Sequence, residues 1–445
     1  MRGADAPVNI VGAGLAGALL ALRLAQRGHA VELYERRADP RQGAPERGRS
    51  INLALAARGL AALEAAGMRA AVQPLLIPMR GRMVHAPGAA PVLQPYGQKA
   101  GEVIYSVGRA ALNRLLIEAA TAHPNVHVHF GAACTGVDLK ARTLQLRIAD
   151  GAARTVELGA TIAADGAGSA VRASLAAQRQ LAVREEWLDH DYKELTIPAE
   201  RAGALEREAL HIWPRGGFML IALPNTDGSF TATLFLARAG FASLASPEAV
   251  QAFFAREFPD AVPLMPDLLA EFARHPQGAL GTVHTLPWHA GGDVLLLGDA
   301  AHAIVPFHGQ GMNAAFEDCV VFDALLDTPA PWAERFARFE AARRPNTEAI
   351  AQMALENYRE MRDAVLDATF LRRKELALAL ERHFPGRFIP RYAMVMFHPE
   401  IPYAEALRRG ALQAELLEAL DPGPQGGLDL ARAAALVTAR LPPLH

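Results

Sequence analysis

An α/β fold follows from three observations in the sequence. The chain opens on an apolar run, Val8 to Val11, that leads through a glycine-rich turn into an Ala/Leu helix and a second apolar run. Two further apolar runs, far down the chain, end in Asp165-Gly166 and in Gly298-Asp299. Between them, residues 209–237 read as short strands separated by turn signals. Together these predict a Rossmann-like domain assembled from separated stretches of chain, an inserted β-sheet domain, and a C-terminal helical region.

The first element is the segment "VNIVGAGLAGALLALRLAQRGHAVELYERR". Val8 to Val11 is a buried strand, and Gly12, Gly14 and Gly17 stand as G-x-G-x-x-G. Gly12 permits the tight turn, Gly14 lets a pyrophosphate approach the backbone, and Gly17 lets helix and strand pack closely. Ala18 to Gln26 reads as the helix, closed by Gly28, and Ala30 to Tyr34 as the second strand, ending at Glu35. Phosphates belong on the exposed N–H groups at the positive helix end. An acid roughly 20 residues on accepts from a ribose hydroxyl and repels a 2′-phosphate, so the expected dinucleotide is FAD or NAD. The fingerprint alone does not separate the two, and a βα turn without a ligand has the same glycines.

Next come "ATIAADGAGSAVRASL", a strand followed by a helix beginning near Ser169, and "DVLLLGDAAHAIVPF". Each sets a carboxylate at the C-terminal end of a strand, where open α/β sheets bind ligands. Taken singly, each aspartate also suits a helix N-cap or a turn. The loop "GDAAHAIVPFHGQGMNAAFEDC" then runs into a helix whose N-terminus carries about half a positive charge.

In "ALHIWPRGGFMLIALPNTDGSFTATLFLA" three strands are joined by turns at Arg215–Gly217 and Asn225–Gly228. Period-two alternation puts Met219, Ile221 and Leu223 on one face. The last hundred residues read as helical, with Met353, Asn357, Glu360 and Met361 at helical spacing on one face. "LAAQRQLAVREEWLDHDYKEL" offers no site residue and reads as a connector into the second domain.

Composition narrows the class. The 445 residues exceed one simple core, and 51% apolar with 21% charged residues is an ordinary globular balance. A net charge of −2 with Arg spread along the chain excludes a basic nucleic-acid surface. Cys134 and Cys319 are the two cysteines, which argues against a disulfide framework and for a reducing, cytoplasmic setting. No signal peptide is read at the N-terminus, and no apolar run approaches the ~20 residues that span a bilayer. His302 and His308 lack the companions of a metal set, so no metal is expected, and both read as loop residues.

The three glycine–aspartate sites together resemble the single-component FAD aromatic hydroxylases, the para-hydroxybenzoate hydroxylase fold. The resemblance implies one extended FAD. Its ADP half lies on Gly12, Gly14, Leu15 and Gly17, with Glu35, Arg36, Ala54 and Cys134 as further contacts. Asp299 of Gly298-Asp299 is implied on the ribityl chain, Asp165 and Gly166 beside the FAD and nicotinamide paths, and Arg109 of "YSVGRAALNRLL" near the flavin. Gly311, Met312 and Asn313 are then implied at the isoalloxazine ring, with the Met312 and Asn313 N–H groups as donors. Gly108 precedes Arg109 where a side-chain cap is more usual.

A narrower resemblance lies outside those motifs. "GRSINLALAARGLAALEAAG", "MRGRMVH", "LQPYG", "YKELTIP", "MALENYREM" and "RFIPRYAMVMF", in that order over residues 8 to 410, resemble the kynurenine 3-monooxygenase family. That implies L-kynurenine, NADPH and O2 as reactants, 3-hydroxy-L-kynurenine as product, and a C4a-hydroperoxyflavin on the way. Arg82, Tyr96, Asn357 and Tyr392 are implied at the polar end of the substrate, with Glu360 and Met361. Leu210, Met219, Ile221, Leu223, Phe235, Phe307 and His308 are implied at the ring, His308 also as a candidate proton handler. From its neighbours alone Arg82 reads as a surface or structural arginine; the carboxylate role comes from the resemblance and suits a planar guanidinium. No second dinucleotide fingerprint is present, so NADPH is expected to bind transiently at the surface.

The expected domains are 1–75, 98–178 and 285–345 for FAD, 76–97 and 179–284 for the substrate sheet, and 346–445 as a helical lid. The expected assembly is a monomer or homodimer without a membrane anchor or nucleic-acid partner. Two rival readings stay open: a related flavin hydroxylase of another aromatic acid, and a non-oxygenating FAD oxidoreductase.

Overall fold

The computed structural model describes residues 6–42, 52–364, 366–421, 423 and 427–444. Residues 48–51 of the "GRSINLALAARG" motif and the first five residues of the chain lie outside them. The chain divides into two compact units. One comprises residues 1–76, 107–188 and 280–347; the other 77–106, 189–279 and 348–445.

The first unit is built on a six-stranded sheet. Its order is His289–Ala290, Val294–Leu296, Thr161–Ala163, Val8–Val11, Val31–Glu35, Val126–Phe130. All neighbours are parallel except the edge hairpin His289–Ala290. Parallel strands are buried on both faces, which is why these segments are continuous apolar runs: Ile10, Leu33, Ile162 and Leu295 are fully buried. The helix Leu15–Gln26 packs between Arg109–Thr121 and Gly311–Ala324. Arg23 and Arg27 on that helix both reach Asp323 on the last one, each at 2.5 Å. An antiparallel meander, Ala132–Asp138, Thr143–Ile148 and Ala153–Glu157, completes the unit.

The second unit centres on an antiparallel set, Asp189–Ile197, Phe230–Ala237, Met219–Pro224 and Ala209–Pro214, extended by Gly81–Val84 and Val92–Pro95. One face carries Trp213, Leu220, Ala222 and Leu234 into an aromatic-rich core with Phe254, Phe258 and Phe272 from the helices behind it. The register gives the opposite face to Arg82, Leu210, Ile221, Leu223, Met219 and Phe235. The sequence read as a connector is instead a 16-residue strand, Ala182–Ile197. Its β-branched and aromatic residues meet the ladder of Phe230–Ala237. The C-terminal helices close a separate small core around Leu380, Phe388, Leu416 and Val437. No described helix is long and apolar enough to cross a membrane.

Candidate functional site

The first unit presents a backbone cradle. Gly12 has φ +96°, and a Cβ there would lie 2.6 Å from the Ala164 carbonyl oxygen. A Cβ on Gly17 would overlap the Gly12 carbonyl, whereas one on Gly14 would meet nothing within 4 Å. Two glycines are thus fixed by close packing, and the middle one faces open space, as a phosphate-binding turn requires. Glu35 accepts from Ala13 N–H at 2.8 Å at the end of the second strand. Its other partner is Arg37, whose Nε reaches Oε1 at 2.8 Å, while Arg36 is exposed. Burial opposes ionisation of Glu35, but the hydrogen bonds and charge of Arg37 outweigh it and hold the carboxyl below its usual range.

Asp165 stands next to this turn and caps the helix Ala170–Ala177 through Oδ2, which accepts from Ala170 N–H at 2.8 Å. Its Oδ1 is buried without a hydrogen bond among the described residues, and burial pushes the carboxyl up. Cys134 lies close enough to feel the Asp165 charge, and burial pushes its thiol up to about 12. Gly298 has φ +61°, and its N–H donates to Asp318 at 3.0 Å. Asp299 opens the next short helix with no hydrogen bond among the described residues. Its Oδ1 lies 4.0 Å from where a Gly311 Cβ would stand.

The helix Gly311–Ala324 makes its first internal bond from Ala314 N–H to the Gln310 carbonyl, so the N–H groups of Gly311, Met312 and Asn313 precede it as the usual unpaired helix-start donors. The Asn313 side chain faces the protein instead. It accepts from Ala56 N–H at 2.9 Å and donates to the carbonyls of Ala54 and Gly309 at 2.9 and 2.8 Å. It therefore ties the Ala54 strand to the turn. Phe307 and His308 are buried in that turn. His302, expected in a loop, is instead the buried end of the short helix, bonded to Asp318 at 2.7 Å. Asp318 also takes Arg343 Nε at 2.6 Å. Arg109 starts its helix exposed, after an uncapped Gly108.

An extended dinucleotide with a redox ring fits these residues. The open Gly14, the unsatisfied Asp165 Oδ1, the free Asp299 and the helix start at Gly311 are the four observations that carry the fit. Asn113 is the residue the sequence reading missed. It donates to the Ala13 carbonyl at 2.9 Å and so braces the phosphate turn. It stands one helical turn after Arg109, a spacing that could have drawn it out.

The second unit holds a charged cluster on the open sheet face. Arg82 is 6% exposed. Its Nη1 donates to Glu360 at 2.8 Å and its Nη2 to Asn357 at 3.2 Å. The guanidinium also lies over the rings of Tyr96 and Tyr392, at 5.9 and 5.2 Å, and those rings stack on each other at 5.5 Å. Burial pushes the Tyr96 phenol up to about 12 and the Tyr392 phenol well above its usual range. Glu360 and Met361 are not on a continuous α-helix. The helix ends at Arg359, and Glu360–Ala364 form one π-helical turn, wider than the helical spacing assumed. Asn357 still reaches Met361 Sδ at 3.3 Å. Leu210, Met219, Ile221, Leu223 and Phe235 floor the same sheet face as Arg82.

The profile of the FAD binding domain family matches residues 5–353. A kynurenine 3-monooxygenase of Myxococcus xanthus (strain DK1622) is 48% identical over 98% of this chain and 96% of its own length. One of Stenotrophomonas maltophilia (strain K279a) is 48% identical over 99% and 98%. Among solved structures, 2-methyl-3-hydroxypyridine-5-carboxylic acid oxygenase superposes with a TM-score of 0.66 at 20% identity, covering 83% of this chain and 95% of its own. PqsL of P. aeruginosa gives 0.64 at 22% identity, covering 80% and 96%. Those two show the shared fold. By the near-full-length identity, the chain belongs to the kynurenine 3-monooxygenase family of FAD-dependent monooxygenases.

Proposed function

We propose that this chain hydroxylates L-kynurenine at the ring carbon next to the aromatic amine, using NADPH and O2. The observation that carries the reading is the pair of Arg82, on the sheet face shared with Leu210, Met219, Ile221, Leu223 and Phe235, with Glu360 of the π-helical turn. An amino acid brings both a carboxylate and an ammonium. Arg82 offers a planar donor fork for the first, and Glu360 an acceptor for the second. A simple aromatic acid would set its carboxylate beside Glu360 with Arg82 shared between the two anions, a costly outcome in a half-buried site. Tyr96 and Tyr392 stay neutral and position the head group through their hydroxyls. Leu210, Met219, Ile221, Leu223 and Phe235 supply the apolar surface for the aromatic part.

FAD, when bound, supplies the redox chemistry, taking electrons from NADPH and activating O2. The protein's part is binding and exclusion of water. Gly12, Gly14 and Gly17 hold the pyrophosphate, Glu35 the ribose, Asp165 and Asp299 the polar chain. The N–H groups of Gly311, Met312 and Asn313, at the positive helix end, would hold the redox ring. The amine of the substrate activates the carbon ortho to it, so no side-chain base is needed at the reacting ring.

The test is NADPH oxidation by the purified yellow protein. L-Kynurenine should accelerate it and yield one hydroxylated product per O2 consumed. The analogue lacking the α-amino group should accelerate it far less. Equal acceleration by the two would remove the amino-acid reading in favour of a broader aromatic-acid hydroxylase. No acceleration by either would remove the substrate class.

A further inference from the structure

The π-helical turn that follows the long helix stands in a closed ring of contacts with the sheet. Asp363 Oδ1 accepts from Gly217 N–H at 3.0 Å. The same carboxylate takes the Arg362 fork, Nε at 2.8 Å and Nη2 at 2.6 Å. The Arg362 guanidinium lies over the Tyr358 ring at 5.1 Å, and that ring meets His190 edge-on at 5.4 Å. His190 closes the ring by donating from Nε2 to the Gly217 carbonyl at 2.8 Å, since a carbonyl only accepts. Both backbone polar groups of Gly217 are thus engaged, and its φ of +112° is one that favours glycine.

This ring brackets Glu360. Tyr358 lies two residues before it and Asp363 three after it. Glu360 opens the π-helical turn, a geometry found mostly as single turns within helices. An ion pair between neighbours such as Arg362 and Asp363, with Asp363 partly exposed, contributes little by itself. What Asp363 adds is its bond to Gly217. The turn at Gly217 joins Ala209–Pro214 to Met219–Pro224, the strands that carry Leu210, Met219, Ile221 and Leu223. Leu210 in turn stands opposite Arg82 in register. The Asp363–Gly217 bond therefore ties the segment bearing Glu360 to the strands that carry its partner arginine and the apolar floor.

We propose that Asp363 is a positioning residue: by holding the π-helical turn to Gly217 it sets Glu360 where the substrate's ammonium arrives, and so fixes the preference for an α-amino acid over its desamino analogue. This inference rests on the amino-acid reading of the Arg82 site. The ammonium contact depends on where Glu360 stands, whereas the carboxylate contact to Arg82 does not pass through the π-helical turn. A misplaced Glu360 therefore weakens one ligand more than the other.

The experiment measures equilibrium binding and steady-state kinetics of the FAD-loaded enzyme with L-kynurenine and with the analogue lacking the α-amino group. Asp363→Leu, close in size but without an acceptor, should raise the Kd and KM for L-kynurenine about tenfold, with kcat within about twofold. Binding of the analogue should change by no more than about twofold. Asp363→Asn keeps an acceptor for the Gly217 N–H and should stay within about threefold of wild type for both ligands. Equal weakening of the two ligands in Asp363→Leu would mean that Asp363 only supports the fold, and would overturn the proposal. So would unchanged L-kynurenine binding in that variant, or an Asp363→Asn variant as weak as Asp363→Leu, which would trace the effect to the Arg362 pair instead. Glu360→Gln separates this inference from the reading beneath it. It should narrow the gap between the two ligands; a gap left as in the wild type overturns the ammonium role of Glu360 itself, and this inference with it.

Discussion

The proposed cofactor and substrate sites would recognise charge in different ways. The first does so with backbone. Its proposed anion site is a turn of glycines and the starts of two helices, each shaped by a few consecutive residues of its own stretch. The second does so with side chains gathered from far apart: Arg82, Tyr96, Asn357, Glu360 and Tyr392 come from four segments. Backbone donors need no partner before the ligand arrives, since water serves them at a helix end. A buried guanidinium does need one, and here Glu360 is already in place. The difference teaches that a cofactor site is cut into the chain's conformation, whereas a substrate site must also solve its own electrostatics.

The comparison breaks most sharply at Gly12. Gly12→Val forces a branched side chain onto φ +96° and against the Ala164 carbonyl. Backbone strain of about 1–3 kcal/mol, added to the overlap, should cut bound flavin by at least about tenfold. Flavin absorbance per chain measures it, and a variant that retains full flavin would show that the turn is not shaped by this glycine. Next in size is Asp318→Asn. Here the cofactor unit also depends on a side-chain charge, because Asp318 holds His302, Arg343 and the Gly298 N–H together. Breaking a buried pair costs about 3–5 kcal/mol, visible as a large drop in melting temperature. Although burial opposes its ionisation, the charges of His302 and Arg343 hold Asp318 below its usual range. The unfolded state therefore binds its proton first as pH falls. The stabilisation is complete well above the ordinary value of about 3.9 and is lost as pH drops through the lower folded value. The wild type should lose melting temperature more steeply than Asp318→Asn on acidification.

How much was legible in the sequence follows the same division. The strand–turn–helix around Gly12, the two strand-end aspartates and the turn before Gly311 could be read from residue types alone, because local conformation dictates them. The three strands between 209 and 237, and the face shared by Met219, Ile221 and Leu223, followed from a period of two. Arg82 did not follow from its neighbours. A lone arginine in a short strand looks like a surface residue, and only its resemblance to a known motif gave it a role. Its partner Glu360 was placed on a regular helix because nothing in "ENYREM" signals a π-helical turn: it contains neither glycine nor proline. The pairing of Arg37 with Glu35 was likewise not signalled, since alternation past a strand end is not fixed by sequence. His302 looked like a loop residue because its partner Asp318 lies 16 positions away. Asn113 was hidden for the same reason, its acceptor standing 100 positions earlier.

On the substrate side the larger effect belongs to Arg82→Met. It removes the donor fork and leaves Glu360 facing an apolar chain. Truncating one member of such a pair costs about 2–5 kcal/mol, a rise in Kd for L-kynurenine of at least about thirtyfold. Flavin content should stay at the wild-type level, which keeps the two sites separable; a parallel loss of flavin would show that they are not. The smallest effect is expected at the stacked phenols. Tyr96→Phe and Tyr392→Phe keep the rings over the guanidinium and lose one hydroxyl each. The expected loss is about 1 kcal/mol, roughly fivefold in Kd. Burial also gives the hydroxyl a spectroscopic signature. A phenol raised to about 12 stays neutral where an ordinary tyrosine is already half ionised, near pH 10. The difference spectrum between wild type and Tyr96→Phe should therefore show no phenolate band at pH 10.5. A band there would mean that water reaches Tyr96, and that Arg82 sits in a solvated cleft where its ion pair with Glu360 is worth little.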